Sequence, residues 1–89
     1  MYRVEAVGDD IEASIDALPP EFLAAFRELE TSLGGAPWSV GRPYNATTPR
    51  GSRTATFGPN GRGLVLFAIN DRDLVVVVWQ VAVAPDVTA

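Results

Sequence analysis

The chain has 89 residues, enough for one domain with a single two-layer core and too few for a second. Hydrophobic residues make up 47% of it and charged residues 20%, a balance typical of a globular protein and not of a disordered chain. Cys and His are both absent, which excludes disulfides and removes the usual zinc ligands and the usual near-neutral general base. We therefore expect a single domain over residues 1–89, with no metal site and no cofactor.

Neither a signal peptide nor a membrane span is predicted. The stretch from Met1 to Val7 lacks an apolar core of signal-peptide length. The longest apolar run, Leu74 to Trp79, is far too short to cross a bilayer. We therefore expect a cytoplasmic protein that does not bind membranes.

Charge is distributed unevenly along the chain. Residues 1–38 carry two arginines against eight acidic residues, and residues 39–89 carry five arginines against three, so the formal net charge of −4 hides a division. The stretch between Ser39 and Asn70 has no Asp or Glu, and its basic residues are Arg42, Arg50, Arg53 and Arg62. A cluster of guanidinium groups makes a local positive field whatever the net charge, and so predicts a surface for a phosphate-bearing or acidic partner. The alternative is that exposed arginines keep a small domain soluble.

The first half of the chain predicts one strand and two helices. Residues 2–7 alternate in polarity, which is typical of a short strand. Asp9 followed by Glu12 has the spacing of a capping box and predicts the start of a first helix, which ends at the Pro19–Pro20 junction. A second helix begins at Pro20 and ends at Gly34–Gly35. Its apolar stripe comprises Phe22, Leu23, Phe26, Leu29 and Leu33.

The second half predicts a long loop and three strands. Residues 36–52 are rich in Pro, Gly, Ser, Thr and Asn without a sustained period, so an irregular loop is expected. Three strand-like runs follow, Arg53 to Phe57, Arg62 to Ile69 and Leu74 to Val83, which predict an antiparallel meander. The fold class is therefore α+β with two layers and the order β-α-α-β-β-β, a helix hairpin packed on one face of a mainly antiparallel four-stranded sheet.

The last run is apolar on both faces, which predicts a strand inside the sheet that is covered on both sides. The face away from the helices needs a cover, either the long loop, the C-terminal tail or another polypeptide. We therefore expect a protein partner. Trp38 and Trp79 are expected to pack in the core and not to stack on nucleic acid.

The turn between the first two runs decides whether Arg53 and Arg62 share one face of the sheet. If residues 58–61 form a four-residue turn, Phe57 lies opposite Arg62, and counting back in twos places Arg53 on the same face as Arg62. If residues 59–61 form a three-residue loop, the register moves by one and Arg53 lies on the other face. The turn residues slightly favour the second version, and both stay open at this point.

The order of these elements, with an arginine-bearing loop before the meander, resembles the RelE/ParE superfamily of bacterial toxin proteins, and the closest likeness is to actinobacterial members. The resemblance spans nearly the whole chain. It is carried by the segments Tyr2–Glu5, Ala17–Pro20, Gly41–Asn45 and Gly61–Val65.

The resemblance implies the toxin of a type II toxin–antitoxin pair, held by a cognate antitoxin protein. In the RelE branch the toxin enters the ribosome and cleaves mRNA, with the 2′-hydroxyl of the RNA attacking the neighbouring phosphate. On this basis Arg53 and Arg62 are candidate catalytic residues, and Arg42 and Arg50 are the candidate nucleic-acid-binding residues. Tyr44 is a third catalytic candidate because, without His or Lys, the general base would have to be Tyr44, a nearby Asp or an arginine. The chain is then a candidate metal-independent endoribonuclease whose partners are the antitoxin, the ribosome and mRNA, and a homodimer is allowed.

Two departures from the RelE pattern predict weak or altered cleavage. A second basic residue expected on the same strand as Arg53 is Ala55 here, and the C-terminal segment that supplies another arginine and a tyrosine is replaced by Ala82–Pro85. Two alternatives therefore stay open. One is a ParE-like inhibitor of DNA gyrase, and the other is a non-catalytic module that keeps the fold for protein interaction.

Overall fold

A computed structural model of the chain describes residues 1–48 and 50–85. Its strands and helices, in chain order, are β1 Arg3–Ala6, α1 Asp9–Asp16, α2 Pro20–Gly35, β2 Arg42–Pro43, β3 Arg53–Phe57, β4 Gly63–Asn70 and β5 Val75–Val83. Short 3-10 turns lie at Pro37–Ser39 and Pro59–Gly61. The strands form one sheet in the order β1-β5-β4-β3-β2, in which β1 runs parallel to β5 and the other pairs are antiparallel.

The expected α+β class is confirmed, and the strand count is corrected from four to five. The extra strand comes from the loop that was expected to be irregular: Arg42 pairs with Thr54, and Pro43 pairs with Arg53. A two-residue strand that contains proline has too little periodicity to be read from the sequence, and an edge position is where proline is tolerated. Consequently β1 and β2 are the two edges of the sheet.

Both helices begin and end near the predicted residues, but the predicted capping box is wrong. The residue before α1 is Gly8, and no side chain caps this end of the helix. The carbonyl of Gly8 instead accepts the backbone N–H groups of Ile11 and Glu12, each at 3.1 Å. Asp9 is therefore the first helical residue, where its negative charge is favoured by the helix dipole.

The core lies between the helix hairpin and one face of the sheet. From the helices, Ile15, Phe22, Phe26 and Leu33 are buried there, and from the sheet Phe57, Val65, Phe67, Val76, Val78 and Val81. The rings of Phe26 and Phe57 meet edge-on with centroids 5.4 Å apart. Burying each such side chain stabilises the fold by about 1.5–3 kcal/mol. Gly58 has a φ of +77°, and a Cβ there would lie 2.4 Å from the Phe22 ring, so only glycine fits this contact.

The strand β5 lies between β1 and β4, which confirms that the last apolar run is inside the sheet. It contains a bulge, because Leu66 pairs with Gln80 whereas the next residue, Phe67, pairs with Val78. Trp79 is the extra residue. The bulge changes the direction of the Trp79 side chain without interrupting the strand. Val78 before it and Val81 after it both face the helices.

We call the side of the sheet away from the helices the open face. Arg42, Thr54, Leu66 and Gln80 lie side by side across it, as the strand register requires. Part of it is covered by Tyr44, whose ring meets that of Trp79 edge-on at 6.3 Å between centroids.

The long loop is therefore one of the covers that the sequence required. The tail, residues 86–89, lies outside the described residues. Trp38 and Trp79 are only partly buried and flank the core without belonging to it, which corrects the expectation for both. Within the described residues, no helix has the length and apolar character needed to cross a lipid bilayer.

Candidate functional site

Arg53 is the one charged side chain buried among the described residues, at 7% exposure. It pairs with Phe67 across β3 and β4 and so faces the helix side of the sheet. Its guanidinium donates hydrogen bonds to the carbonyl of Val40 at 3.0 and 3.3 Å, of Trp38 at 3.3 Å and of Gly41 at 3.1 Å. These bonds hold the segment before β2 against β3, because the buried guanidinium of Arg53 satisfies its own donors on these three carbonyls.

Arg62 lies in the connection between β3 and β4. Phe57 pairs with Gly63, so five residues, 58–62, link the two strands, and neither of the two predicted turns is formed. The Nε of Arg62 donates to the carbonyl of Ala84 at 3.2 Å. Its guanidinium carbon lies 5.1 Å from the centre of the Phe22 ring, a cation–π contact. Arg62 thus ties this connection to the end of β5.

Arg53 and Arg62 are not brought together. Arg53 begins β3, whereas Arg62 follows the end of β3, and a five-residue strand separates its ends by roughly 13 Å. Arg53 contacts the ring of Trp38, and Arg62 contacts the ring of Phe22. This arrangement therefore does not let both guanidinium groups hold a single phosphate.

Arg42 is exposed at the β2 edge of the sheet, and Tyr44, which follows β2, is exposed where its ring lies over the open face towards Trp79. The turn into β2 needs glycine, since Gly41 has a φ of +67° and a Cβ there would collide with the carbonyl of Thr54. Beside it lies a hollow of about 360 Å³ lined by Gly41, Arg42, Thr54, Ala55, Thr56 and Leu64.

Within residues 1–48 and 50–85, the guanidinium of Arg42 makes no hydrogen bond or ion pair. Tyr44 is 62% exposed. The β2 edge therefore offers a ligand one cation, two threonine hydroxyls and an aromatic ring. This set suits a ligand with a negatively charged group for the cation and a planar ring for stacking.

Arg50 belongs to a cluster of side chains around Asp71, and the sequence did not predict this cluster. The carboxylate of Asp71 accepts hydrogen bonds from Tyr2 Oη at 2.7 Å and Trp38 Nε1 at 2.8 Å, and Arg50 Nη2 lies 3.4 Å from it. Arg50 also stacks over Trp38 at 5.5 Å. The Arg50 side chain is 82% exposed, so the ion pair is weak and the guanidinium can leave it at little cost.

The hydrogen bonds from Trp38 and then from Tyr2 lower the pKa of Asp71, and the charge of Arg50 adds a smaller effect in the same direction. The bond to Asp71 in turn raises the pKa of Tyr2. Nothing local in the sequence signals this cluster, because Tyr2 and Trp38 lie 69 and 33 residues from Asp71. Among the described residues, no group of three acidic side chains is placed to hold a metal ion.

No known protein family matches the sequence, and no curated protein sequence is significantly similar to it. Several solved structures contain a chain whose fold is similar to that of this protein. The toxin–antitoxin complex RelBE2 from Mycobacterium tuberculosis contains a chain with a TM-score of 0.70 and 28% identity, over 96% of this chain and 93% of that one. The archaeal RelE–RelB complex from Pyrococcus horikoshii contains a chain with a TM-score of 0.67 and 17% identity, over 96% of this chain and 97% of that one.

The second likeness shows the fold alone, and the first, at higher identity, also bears on function. The predicted closeness to actinobacterial members stays a prediction. Taken with the topology, the two comparisons establish that this chain has the fold of RelE toxins, and the first of them supports a toxin of a toxin–antitoxin pair.

Proposed function

We propose that this protein is the toxin of a type II toxin–antitoxin pair, that an antitoxin holds it, and that it acts on ribosome-bound mRNA with weak cleavage. The observation that carries the proposal is the likeness to RelE–RelB complexes over 96% of the chain. The exposed Arg42 and Tyr44 at the β2 edge add a chemical reason for RNA as the ligand.

The RNA contacts belong to the β2 edge in this proposal. Arg42 binds a backbone phosphate bidentately beside the hydroxyls of Thr54 and Thr56. Tyr44 stacks on a base, an interaction worth about 1–3 kcal/mol in single-stranded RNA complexes. Arg50 leaves its weak ion pair with Asp71 to bind a flanking phosphate.

Cleavage is slow in this proposal because the acid–base groups are few. Arg53 is occupied by backbone carbonyls inside the protein, and Arg62 lies beyond the far end of β3. Tyr44 is then the candidate proton donor at the RNA-binding edge. Each missing general acid or base typically costs about 10²–10⁴-fold in rate.

A second candidate function is a non-catalytic module that keeps the fold in order to bind the antitoxin. The burial of Arg53 at 7% exposure favours it, since this arginine is one of the two assigned to catalysis by resemblance and its place in the fold is structural. An induction experiment separates the candidates. The wild-type chain and the variants Arg42→Ala and Tyr44→Ala are expressed without an antitoxin while growth is followed and the 5′ ends of cellular mRNA are mapped.

We expect slower growth and new 5′ ends within coding regions for the wild type, and loss of both in the two variants. Arg27→Ala is the matched control, because Arg27 lies on α2, on the opposite side of the sheet. Harmless wild-type expression would favour the non-catalytic module. Growth arrest with intact mRNA and inhibited DNA gyrase would point instead to a ParE-like toxin.

A further inference from the structure

The strand β1 leaves one side of its backbone without a strand partner. The N–H groups of Arg3 and Val7 donate to β5-side carbonyls, those of Leu74 and Val78, each at 2.9 Å. Successive residues of a strand point in alternate directions, so the N–H and C=O groups of Val4 and Ala6 point away from β5. Within the described residues no strand lies on that side, because β1 is an edge of the sheet.

A groove of about 480 Å³ runs between this edge and the helix hairpin. The apolar part of its floor consists of Val4 and Ala6, which are half-buried, and the buried Ile15 and Phe26 lie beneath them. Such a floor and the adjacent unpaired backbone groups of Val4 and Ala6 suit an extended peptide, since the backbone provides hydrogen bonds and the floor takes alternate side chains. The unpaired stretch ends at Tyr2, whose N–H on the same side donates to the carbonyl of Gly34 at 2.8 Å. A helix in the same groove would leave Val4 and Ala6 without hydrogen-bond partners.

The rim of the groove is acidic. Four carboxylates line it, Glu5, Glu12, Asp16 and Glu30, against one guanidinium, that of Arg27. The guanidinium of Arg27 is paired with Glu30, to which it donates a hydrogen bond at 2.7 Å. That hydrogen bond raises the pKa of Arg27, and the charge of Asp16 adds to the effect.

Two of these carboxylates, those of Glu12 and Asp16, make no ion pair among the described residues. Asp16 is also the last residue of α1, whose final turn holds no basic residue. A negative charge at that end opposes the helix dipole, so a cation placed beside Asp16 would be favoured by both the carboxylate and the dipole.

We propose that the groove and the β1 edge bind an extended segment of a partner protein in which lysine or arginine alternates with apolar residues, and that this segment adds a sixth strand to the sheet. The basic side chains of the segment pair with Glu12 and Asp16, and its apolar side chains pack on Val4 and Ala6. The proposal does not require the chain to cleave RNA or to be toxic, so its failure and the failure of the proposed function are separable.

The probe is a labelled synthetic peptide in which lysine and valine alternate, titrated onto the full chain at low salt. Binding is followed by fluorescence anisotropy, and hydrogen exchange of the protein amides is followed by NMR. We expect binding that protects the amides of Val4 and Ala6, which exchange rapidly in the unbound chain. Two control peptides are expected to bind at least about ten-fold more weakly. In one, glutamate replaces lysine, and in the other the backbone N–H groups along one side of the lysine–valine peptide are methylated and cannot donate to β1.

The double variant Glu12→Gln/Asp16→Asn tests the rim. Both side chains are exposed, so the variant should unfold close to the wild-type denaturant concentration and not well below it, while its affinity for the lysine–valine peptide falls about ten-fold. Glu28→Gln is the matched control, an exposed acid on α2 outside the groove, and should leave the affinity unchanged. Equal binding of the three peptides, protection at the β2 edge in place of Val4 and Ala6, or an unchanged affinity of the double variant would each overturn the proposal.

Discussion

The two edges of one sheet carry opposite charge in this protein. At the β1 edge, four carboxylates from the strand and both helices line a groove beside the half-buried Val4 and Ala6. At the β2 edge, Arg42 lies beside a hollow with no acidic residue in its lining, and Arg50 is nearby in sequence. The net charge of −4 describes neither edge. A binding partner at one edge responds mainly to the charges of that edge and not to the total charge of the domain.

The physical origin of the difference lies in chain order. The acidic first half forms β1 and the helix hairpin, and these meet at the first edge. The acid-free stretch between Ser39 and Asn70 then forms the second edge and the strands beside it. A single small domain can therefore bind a basic polypeptide and an anionic one on separate surfaces, and the following predictions test that separation.

The largest effect is expected at Arg53, which lies at the basic edge but belongs to the core. Arg53→Ala leaves the carbonyls of Trp38, Val40 and Gly41 without their donor, so we expect the free energy of unfolding to fall by about 3 kcal/mol. Urea unfolding followed by circular dichroism measures it. Arg42→Ala at the same edge should change stability by no more than about 0.5 kcal/mol. Equal effects of the two substitutions would show that Arg53 is a surface residue.

Binding of single-stranded RNA should depend on the β2 edge. Removing both cations, Arg42→Ala with Arg50→Ala, is expected to weaken binding about ten-fold and to reduce the salt slope by about 1.4, roughly 0.7 for each phosphate that is no longer neutralised. Anisotropy titrations of a labelled oligouridine at several salt concentrations measure both quantities. The double variant Glu12→Gln/Asp16→Asn should leave RNA affinity unchanged. If it changed RNA affinity as much as the arginine variant does, the claim that the two edges bind different partners would be wrong.

A smaller effect, opposite for stability and for binding, is expected at Asp16. Asp16→Asn removes a negative charge from the C-terminal end of α1 and should stabilise the fold by about 0.3–0.5 kcal/mol. The same change should weaken binding of the lysine–valine peptide. Thermal unfolding at low salt measures the gain, and a loss of stability would mean that the attraction between Asp16 and Arg27 outweighs the effect of the helix dipole.

The smallest effect concerns the Asp71 cluster and depends on pH. The lowered pKa of Asp71 means that its bonds stabilise the fold above the ordinary carboxyl pKa of 3.8 and are lost as pH falls through the lower folded value. The raised pKa of Tyr2 means that its bond is present below the ordinary value of 10.0 and is lost as pH rises through the higher folded value.

The difference in unfolding midpoint between the wild type and Asp71→Ala should therefore be greatest near neutral pH and shrink towards both extremes. Urea midpoints across the pH range measure it. Asp73→Ala is the matched control in the same turn, and a difference that did not vary with pH would contradict the assignment.

Much of the fold is readable from the sequence because its signals are local. The apolar stripe of α2 and the Pro20 and Gly35 that bound it predict this helix to within a residue. The strand Arg53–Phe57 has the predicted bounds, and β4 and β5 begin one residue later than predicted. Glycine and proline restrict or permit backbone angles whatever the surroundings, so they mark these boundaries reliably.

The candidate site was less predictable. The residue types of the β2 edge, Arg42 and Tyr44, are visible in the sequence, but the pairing of Arg42 with Thr54 depends on a turn and a partner strand that have no periodic signal. The same holds for the bulge at Trp79 and for the five-residue connection that sets the register of β3. A shift of one residue moves every side chain of a strand to the other face.

The sequence by itself determined the two-layer class, the helix hairpin, the interior position of β5 and the division of charge along the chain, because periodicity, glycine, proline and charge act through neighbouring residues. The tertiary structure alone decided that Arg53 is buried against carbonyls 12 to 15 residues away, that Arg62 lies far from it, and that Tyr2, Trp38 and Asp71 meet. These interactions join residues distant in sequence, and their energies depend on burial and register, which exist only once the sheet has formed.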